Sequence, residues 1–168
     1  SIEESFRLAM NDFDGSHAIT MHTDIAPGKL FLGQRGSGQA IFVGFSDDHA
    51  MATSEIYGFI EDTHDFIKLD GDSGANGDKG NPRGQIVIID QSGPPDLSSV
   101  RAMYYDGTPH DFHKAGLKST EITSRDIDRQ HFDHFFLKEI SESPLSVSRT
   151  LQGKWRSVKN NDGVESLK

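Results

Sequence analysis

At 168 residues with 34% hydrophobic content, the chain has material for one compact domain, or for one domain with an extension. A net charge of −9 and a pI near 5.2 argue against nucleic acid or an anionic membrane as partner, since both are polyanions. With no cysteine, disulfides, thiolate metal ligation and a cysteine nucleophile are excluded within these residues, and with no apolar run of ~18 residues and no basic-then-apolar start, a cytoplasmic chain is expected.

Ile2, Phe6, Ala9, Met10 and Phe13 fall on one side of a helix, with Glu3 and Glu4 at its positive N-terminal end and Gly15 placed to stop it, so the spacing predicts a helix over 2–13. Alternation then predicts strands over 17–23 and 29–34, joined as a hairpin by the loop Thr23 to Gly28. Arg35-Gly36-Ser37-Gly38-Gln39 is a glycine-rich turn before an apolar strand over 40–45. A phosphate-cradling role for it is disfavoured because no helix follows, so it reads as a strand-to-strand turn.

Ser54 is placed to cap a short helix carrying Ile56, Tyr57, Phe59 and Ile60, and a strand over 65–69 comes next. The segment from Asp70 to Gly84 is too polar for a core element and reads as a mobile loop extending a hairpin. Its Asp70, Asp72, Asn76 and Asp78 lack the glycine and distal glutamate of a helix-loop-helix calcium site. Gln85 to Asp90 is the clearest strand, expected to return opposite Phe66 to Leu69. A further strand over 100–105 follows the turn at Ser92 to Pro95, and Thr120 to Thr123 is a short extended piece.

Towards the end, Phe132, Phe135, Phe136, Glu139 and Ile140 recur at helical spacing, and Pro144 suits the first position of a second helix, which predicts helix, break, helix over 131–153. Within it stand His134, Leu137-Lys138-Glu139-Ile140, Glu142, Pro144 and Thr150-Leu151-Gln152-Gly153. This run resembles the junction of the glucosamine-6-phosphate synthases, the glutamine:fructose-6-phosphate aminotransferases, where a segment of the type H-x-M-x-K-E-I-x-E-Q-P precedes a helix ending in T-L-x-G. Phe136 replaces the methionine and Ser143 the glutamine. The glutaminase domain of that family also has an A-x-R-S-G-S-P-L-V-I-G pattern followed by F-I-A-S-D. Here Gln34 to Gly44 and Met51-Ala52-Thr53-Ser54-Glu55 are similar to those two patterns, with Gly38-Gln39 in place of serine-proline and Glu55 in place of aspartate.

The resemblance implies the C-terminal part of a class II glutamine amidotransferase domain over 1–128, then a helical connector over 129–168 leading towards a sugar-phosphate isomerase domain. The fold class it implies is α+β, antiparallel sheets with flanking helices forming part of a four-layer α/β/β/α sandwich. His134, Lys138, Glu139, Glu142 and Gly153 are its connector residues. The family's glutaminase uses an N-terminal cysteine, its α-amine as base, an asparagine-glycine oxyanion hole, and an arginine and aspartate that grip glutamine. None of these motifs is present, and Ser1-Ile2-Glu3-Glu4 does not match Cys-Gly-Ile, so no catalytic residue is assigned. The implied partners are the remaining glutaminase half and the isomerase domain. A half-sandwich should expose apolar sheet surface, so self-association into a homo-oligomer is expected.

Two other readings stand beside this one. A non-catalytic glutaminase-like binding or regulatory module has the same motifs. A hydrolase would use the histidine pairs His17/His22, His49/His64, His110/His113 and His131/His134, the last pair fitting one helix face. These are better explained as surface or packing residues: no placed nucleophile accompanies them, and although His110 and His113 flank Asp111, Thr108-Pro109 and Gly116 mark a loop there. No cofactor and no metal are expected.

Overall fold

The computed structural model describes residues 1–75, 83–112, 116–122, 128–151, 157–159 and 165–167, in two units, Ser1–Asp126 and Ile127–Lys168. In the first unit, helix α1 spans Ile2–Asp12. The strands are β1 His17–His22, β2 Lys29–Arg35, β3 Phe42–Phe45, β4 Ala50–Thr53, β5 Asp65–Lys68, β6 Gln85–Asp90, β7 Val100–Tyr104, β8 Pro109–His110 and β9 Lys118–Ser119. They form two antiparallel sheets, β1-β2-β6-β7-β8 and β4-β3-β5-β9. The α+β class is therefore met, with the layered arrangement of a partial sandwich.

Period-two alternation explains the layers. On β2 and β6, Leu32, Val87 and Ile89 turn inward and join Val43, Phe45 and Ile67 of the second sheet in one buried cluster. Their neighbours Phe31, Ile86 and Ile88 turn the other way and meet Phe6 and Met10 of α1, with Tyr105 beside them. Both faces of β6 are thus buried, which is why it reads as a continuous apolar run rather than an alternating one.

Polar contacts hold α1 in place. Arg7 Nη1 donates to the Tyr105 carbonyl at 2.7 Å, Asn11 Nδ2 to the same oxygen at 2.9 Å, and Glu3 pairs with both Lys29 of β2 and Arg101 of β7.

The expected hairpin of β1 and β2 is present in register His17↔Arg35 to His22↔Leu30. The expectation that β6 returns opposite β5 is corrected: β5 lies between β3 and β9, and β6 between β2 and β7. An apolar run indicates a strand but not its partner; here the chain changes sheets between Lys68 and Gln85, so the Asp70–Gly84 stretch joins two sheets instead of two hairpin strands. Its neck is closed by Gly84 N–H donating to the Ser73 carbonyl at 3.1 Å. Residues 76–82, on which the mobile-loop expectation bears, lie outside the described residues. The Arg35–Gln39 turn likewise connects strands of different sheets, and Gly36 N–H donates to the Gly71 carbonyl at 2.7 Å.

The capped helix expected after Ser54 is a single 3-10 turn, Ile56–Gly58, whose cap position is Glu55 without a side-chain bond. Thr53 Oγ1 donates to the Glu55 carbonyl there. This segment covers the outer face of the second sheet: the Phe59 ring lies tilted against Phe66 at 5.8 Å, and Phe66 meets Phe42 edge-on at 5.8 Å. The expected apolar sheet surface is accordingly not exposed. Among the described residues no large apolar side chain of a first-unit strand is in the exposed class, because α1 covers one sheet and the Phe59 segment the other.

In the second unit, helix α2 runs unbroken from Phe135 to Leu151, and β10 Ser157–Lys159 pairs antiparallel with β11 Glu165–Leu167. The break expected at Pro144 is absent. A proline removes the bond to the carbonyl four residues earlier, here Ile140. Ile140 is exposed, so water can satisfy that carbonyl, while Ser143 Oγ bonds to the Glu139 carbonyl at 2.8 Å and holds the preceding turn.

Gly44 is the tightest point of the second sheet. A Cβ there would stand 2.7 Å from the Phe59 ring. Gly44→Ala is therefore expected to destabilise the fold by about 1–3 kcal/mol through overpacking, measured by urea unfolding, and Gly15→Ala, which meets no neighbour but has a positive φ, by less.

Candidate functional site

The connector residues were the only site residues that the sequence nominated. Helix α2 begins at Phe135, so His131 and His134 precede it and do not share a helix face as expected. His134 acts through its backbone: its carbonyl accepts from Leu137 N–H at 3.1 Å and Lys138 N–H at 3.2 Å, closing the first turn. Lys138 is 3% exposed, and its Nζ donates to the Asp128 carbonyl at 2.8 Å, which ties the start of the helix to the segment before it. Glu139 and Glu142 are exposed on α2, and Gly153 lies outside the described residues. A buried ammonium that bonds a backbone carbonyl is a structural fastening.

Elsewhere the question is whether any nucleophile stands beside a base. A cleft of about 350 Å3 is lined by Leu30, Phe45, Asp48, His49, Ile89 and Asp90 among others. Beside it Ser46, Asp48 and His49 meet: Asp48 Oδ1 lies 2.5 Å from His49 Nδ1, Ser46 Oγ is 3.1 Å from the same nitrogen, and Ser46 also donates to Asp48 at 3.1 Å. A working triad divides the imidazole, with the carboxylate on one nitrogen and the hydroxyl on the other. In this cluster both contacts fall on Nδ1, and the hydroxyl hydrogen goes to the carboxylate, so nothing removes a proton from Ser46. The hydrogen bond from His49, then that from Ser46, hold the Asp48 carboxyl below its ordinary range.

Of the other described histidines, His22, His64, His131 and His134 are exposed, while His17 and His110 are partly buried. His17 Nε2 lies 2.9 Å from the hydroxyl of fully buried Tyr105, and its Nδ1 is buried without a hydrogen-bond partner. Burial, then Arg35, pushes the imidazole below its usual range, with the Gly15 backbone pulling the other way, and burial raises the Tyr105 phenol. His110 lies in β8 rather than in a loop, 3.2 Å from Tyr104 Oη through Nδ1. Burial lowers its pKa against the opposing pull of Asp111 and Asp70. His113 lies outside the described residues. Among the described residues no three of His, Asp and Glu converge on a point where a metal ion would sit, and no helix is long and apolar enough to cross a membrane.

Sequence reasoning missed the cleft and the part-buried His17–Tyr105 pair. Each is assembled from residues far apart in the chain, and neither leaves a local spacing signal.

No family model matches the chain. It is similar to a protein of Bacillus cereus named glutamine–fructose-6-phosphate aminotransferase [isomerizing], with 25% identity over 152 residues, 90% of this chain and 22% of that relative. Proteins of the same name from Methanosarcina acetivorans (26% identity, 88% of this chain, 20% of the relative) and Halalkalibacterium halodurans (23%, 99% and 23%) are similar over nearly the same extent. The chain thus spans about a fifth of the length of these curated relatives.

Two outcomes follow from the geometry. With His17 and His110 held below their unfolded pKa of about 6.5, each favours the neutral form in the fold. Stability should be unaffected by them above that pH and should fall as pH drops below it. Thermal melts from about pH 7.5 to 5 should show this fall, and His17→Gln should make it shallower. Lys138→Met should cost about 1–3 kcal/mol locally and raise hydrogen exchange around 128–137, with Lys138→Arg milder.

Proposed function

We propose that the chain is the C-terminal part of a class II glutamine amidotransferase domain of the glucosamine-6-phosphate synthase type, followed by the start of its connector. In this reading its role is structural. It supplies two sheets and a helix of the glutaminase sandwich, and α2 leads on towards a sugar-phosphate isomerase domain. The whole protein would convert fructose 6-phosphate and glutamine to glucosamine 6-phosphate and glutamate, in cytoplasmic amino-sugar biosynthesis. His134, Lys138, Glu139, Glu142 and Gly153 would serve the connector.

The observation that carries this reading is the similarity to aminotransferases over 90% of the chain, in a sequence that contains no cysteine. Amide transfer from glutamine needs a nucleophile, a base beside it and donors aimed at the developing oxyanion. The Ser46–Asp48–His49 cluster supplies no activated nucleophile, so the chemistry would reside in parts of the polypeptide outside these residues.

The purified chain is expected to release no glutamate from glutamine in a coupled glutamate dehydrogenase assay. Turnover that Ser46→Ala or His49→Ala abolishes would overturn the structural role. The second reading, a non-catalytic binding or regulatory module, shares the fold and is favoured if the gene's reading frame upstream of Ser1 carries no Met-Cys-Gly start.

A further inference from the structure

The described lysines and arginines of the first unit divide in two. Arg7, Lys29 and Arg101 pair with Glu4 or Glu3. Arg35, Lys68, Arg83 and Lys118 form no ion pair among the described residues, and all four gather where the two sheet crossings touch at Gly36 and Gly71. There a cavity of about 350 Å3 is lined by Ser16, Arg35, Asp72 and Arg83 together with both glycines. A second cavity of about 250 Å3 shares those glycines and carries Lys68 and Lys118. Two carboxylates stand against the four cations, and that of Asp70 already accepts from Asp72 N–H at 2.9 Å and Ser73 N–H at 3.1 Å. In a chain of net charge −9 this is a local reversal of sign.

The first cavity has the donors that a phosphoryl group needs. Arg35 stands at the end of β2, and its Nη1 donates to the Phe13 carbonyl at 3.0 Å, which fixes the guanidinium and leaves further N–H groups for a ligand. Arg83 supplies a second guanidinium and Ser16 a hydroxyl. Ser16 Oγ occupies the place where a Cβ of Gly36 would stand, and the Gly36 carbonyl the place of one on Gly71, so no side chain from either glycine closes the backbone off. One guanidinium fork satisfies a carboxylate, whereas a phosphoryl group, with three oxygens and a charge near −2, matches two forks and a hydroxyl. The glycine-rich turn has no helix behind it, so the positive potential comes from side chains instead of a helix dipole.

We propose that the cavity of Arg35, Arg83 and Ser16 binds a phosphoryl group, as free phosphate or as the ester of a small molecule, with Lys68 and Lys118 raising the local potential. The inference goes beyond the glutaminase reading and does not rest on it, since glutamate release and phosphate binding are measured separately.

Titrating the 168-residue chain with inorganic phosphate at fixed ionic strength should give saturable amide NMR shifts at Ser16, Gly36 and Gly71, with a Kd of about 0.1–5 mM, which chloride does not reproduce. Arg83 is exposed and has no hydrogen bond or ion pair among the described residues, so Arg83→Gln should weaken binding at least about fivefold with the melting temperature unchanged. Lys29→Gln removes the same charge at the other end of β2, about 20 Å from Arg35, and should weaken binding less than about twofold. Asp72→Asn should tighten it severalfold, a gain that misfolding cannot mimic. Raising salt from about 50 to about 300 mM should weaken binding, because attraction to the local cations outweighs repulsion by the net charge. The proposal is overturned by the absence of saturable shifts up to about 20 mM phosphate, by equal losses in Arg83→Gln and Lys29→Gln, by no gain in Asp72→Asn, or by binding that strengthens with salt. Glycerol 3-phosphate binding more tightly than phosphate would assign an ester and equal binding the free ion, and either upholds the site.

Discussion

Two buried glutamines hold the chain where it passes from one sheet to the other. Gln34 and Gln85 are register partners on β2 and β6, and both are 3% exposed. Gln34 Oε1 accepts from Ile41 N–H at 2.8 Å and its Nε2 donates to the Gln39 carbonyl at 3.0 Å; Gln85 Oε1 accepts from Asp70 N–H at 2.8 Å. A chain that leaves one ladder for another strands its backbone groups in a buried place, where an unmet hydrogen bond costs about 1–3 kcal/mol. These side chains supply the missing partners, and Gly36 and Gly71 let the two crossings touch. Face-to-face packing of the sheets depends on those crossings.

The rest of the first unit follows from that arrangement. With the sheets stacked, every strand of the middle has two faces to bury, and α1 and the Phe59 segment close the outer ones. Glu3 between Lys29 and Arg101, and Arg7 with Asn11 on the Tyr105 carbonyl, set the helix across β2 and β7. These polar residues are spent on architecture. The same holds for His17 with Tyr105 and for Lys138 with Asp128.

Much of the fold was legible because burial imposes a period. Helix α1, the β1–β2 hairpin and β6 follow directly from apolar spacing. The strands β4, β8 and β9 were not read, since pieces of two to four residues at sheet edges bury too little to leave a pattern. The Phe135–Leu151 segment was legible as a motif, but its conformation was not. Pro144 indicated a break on local grounds, whereas an exposed helix with a serine bond to the previous turn accommodates it.

By itself, the sequence determined α1 and the longer strands, the net negative charge, the absence of thiols among these residues and the likeness to aminotransferase junctions, all properties of composition or of neighbours along the chain. Only the tertiary structure decided which strands pair, that β5 and β6 belong to different sheets, that His49 meets Ser46 and Asp48 on a single nitrogen, and that α2 is continuous. The reason is physical: periodicity records that a face is buried, but what it is buried against depends on where chain crossings bring distant segments together.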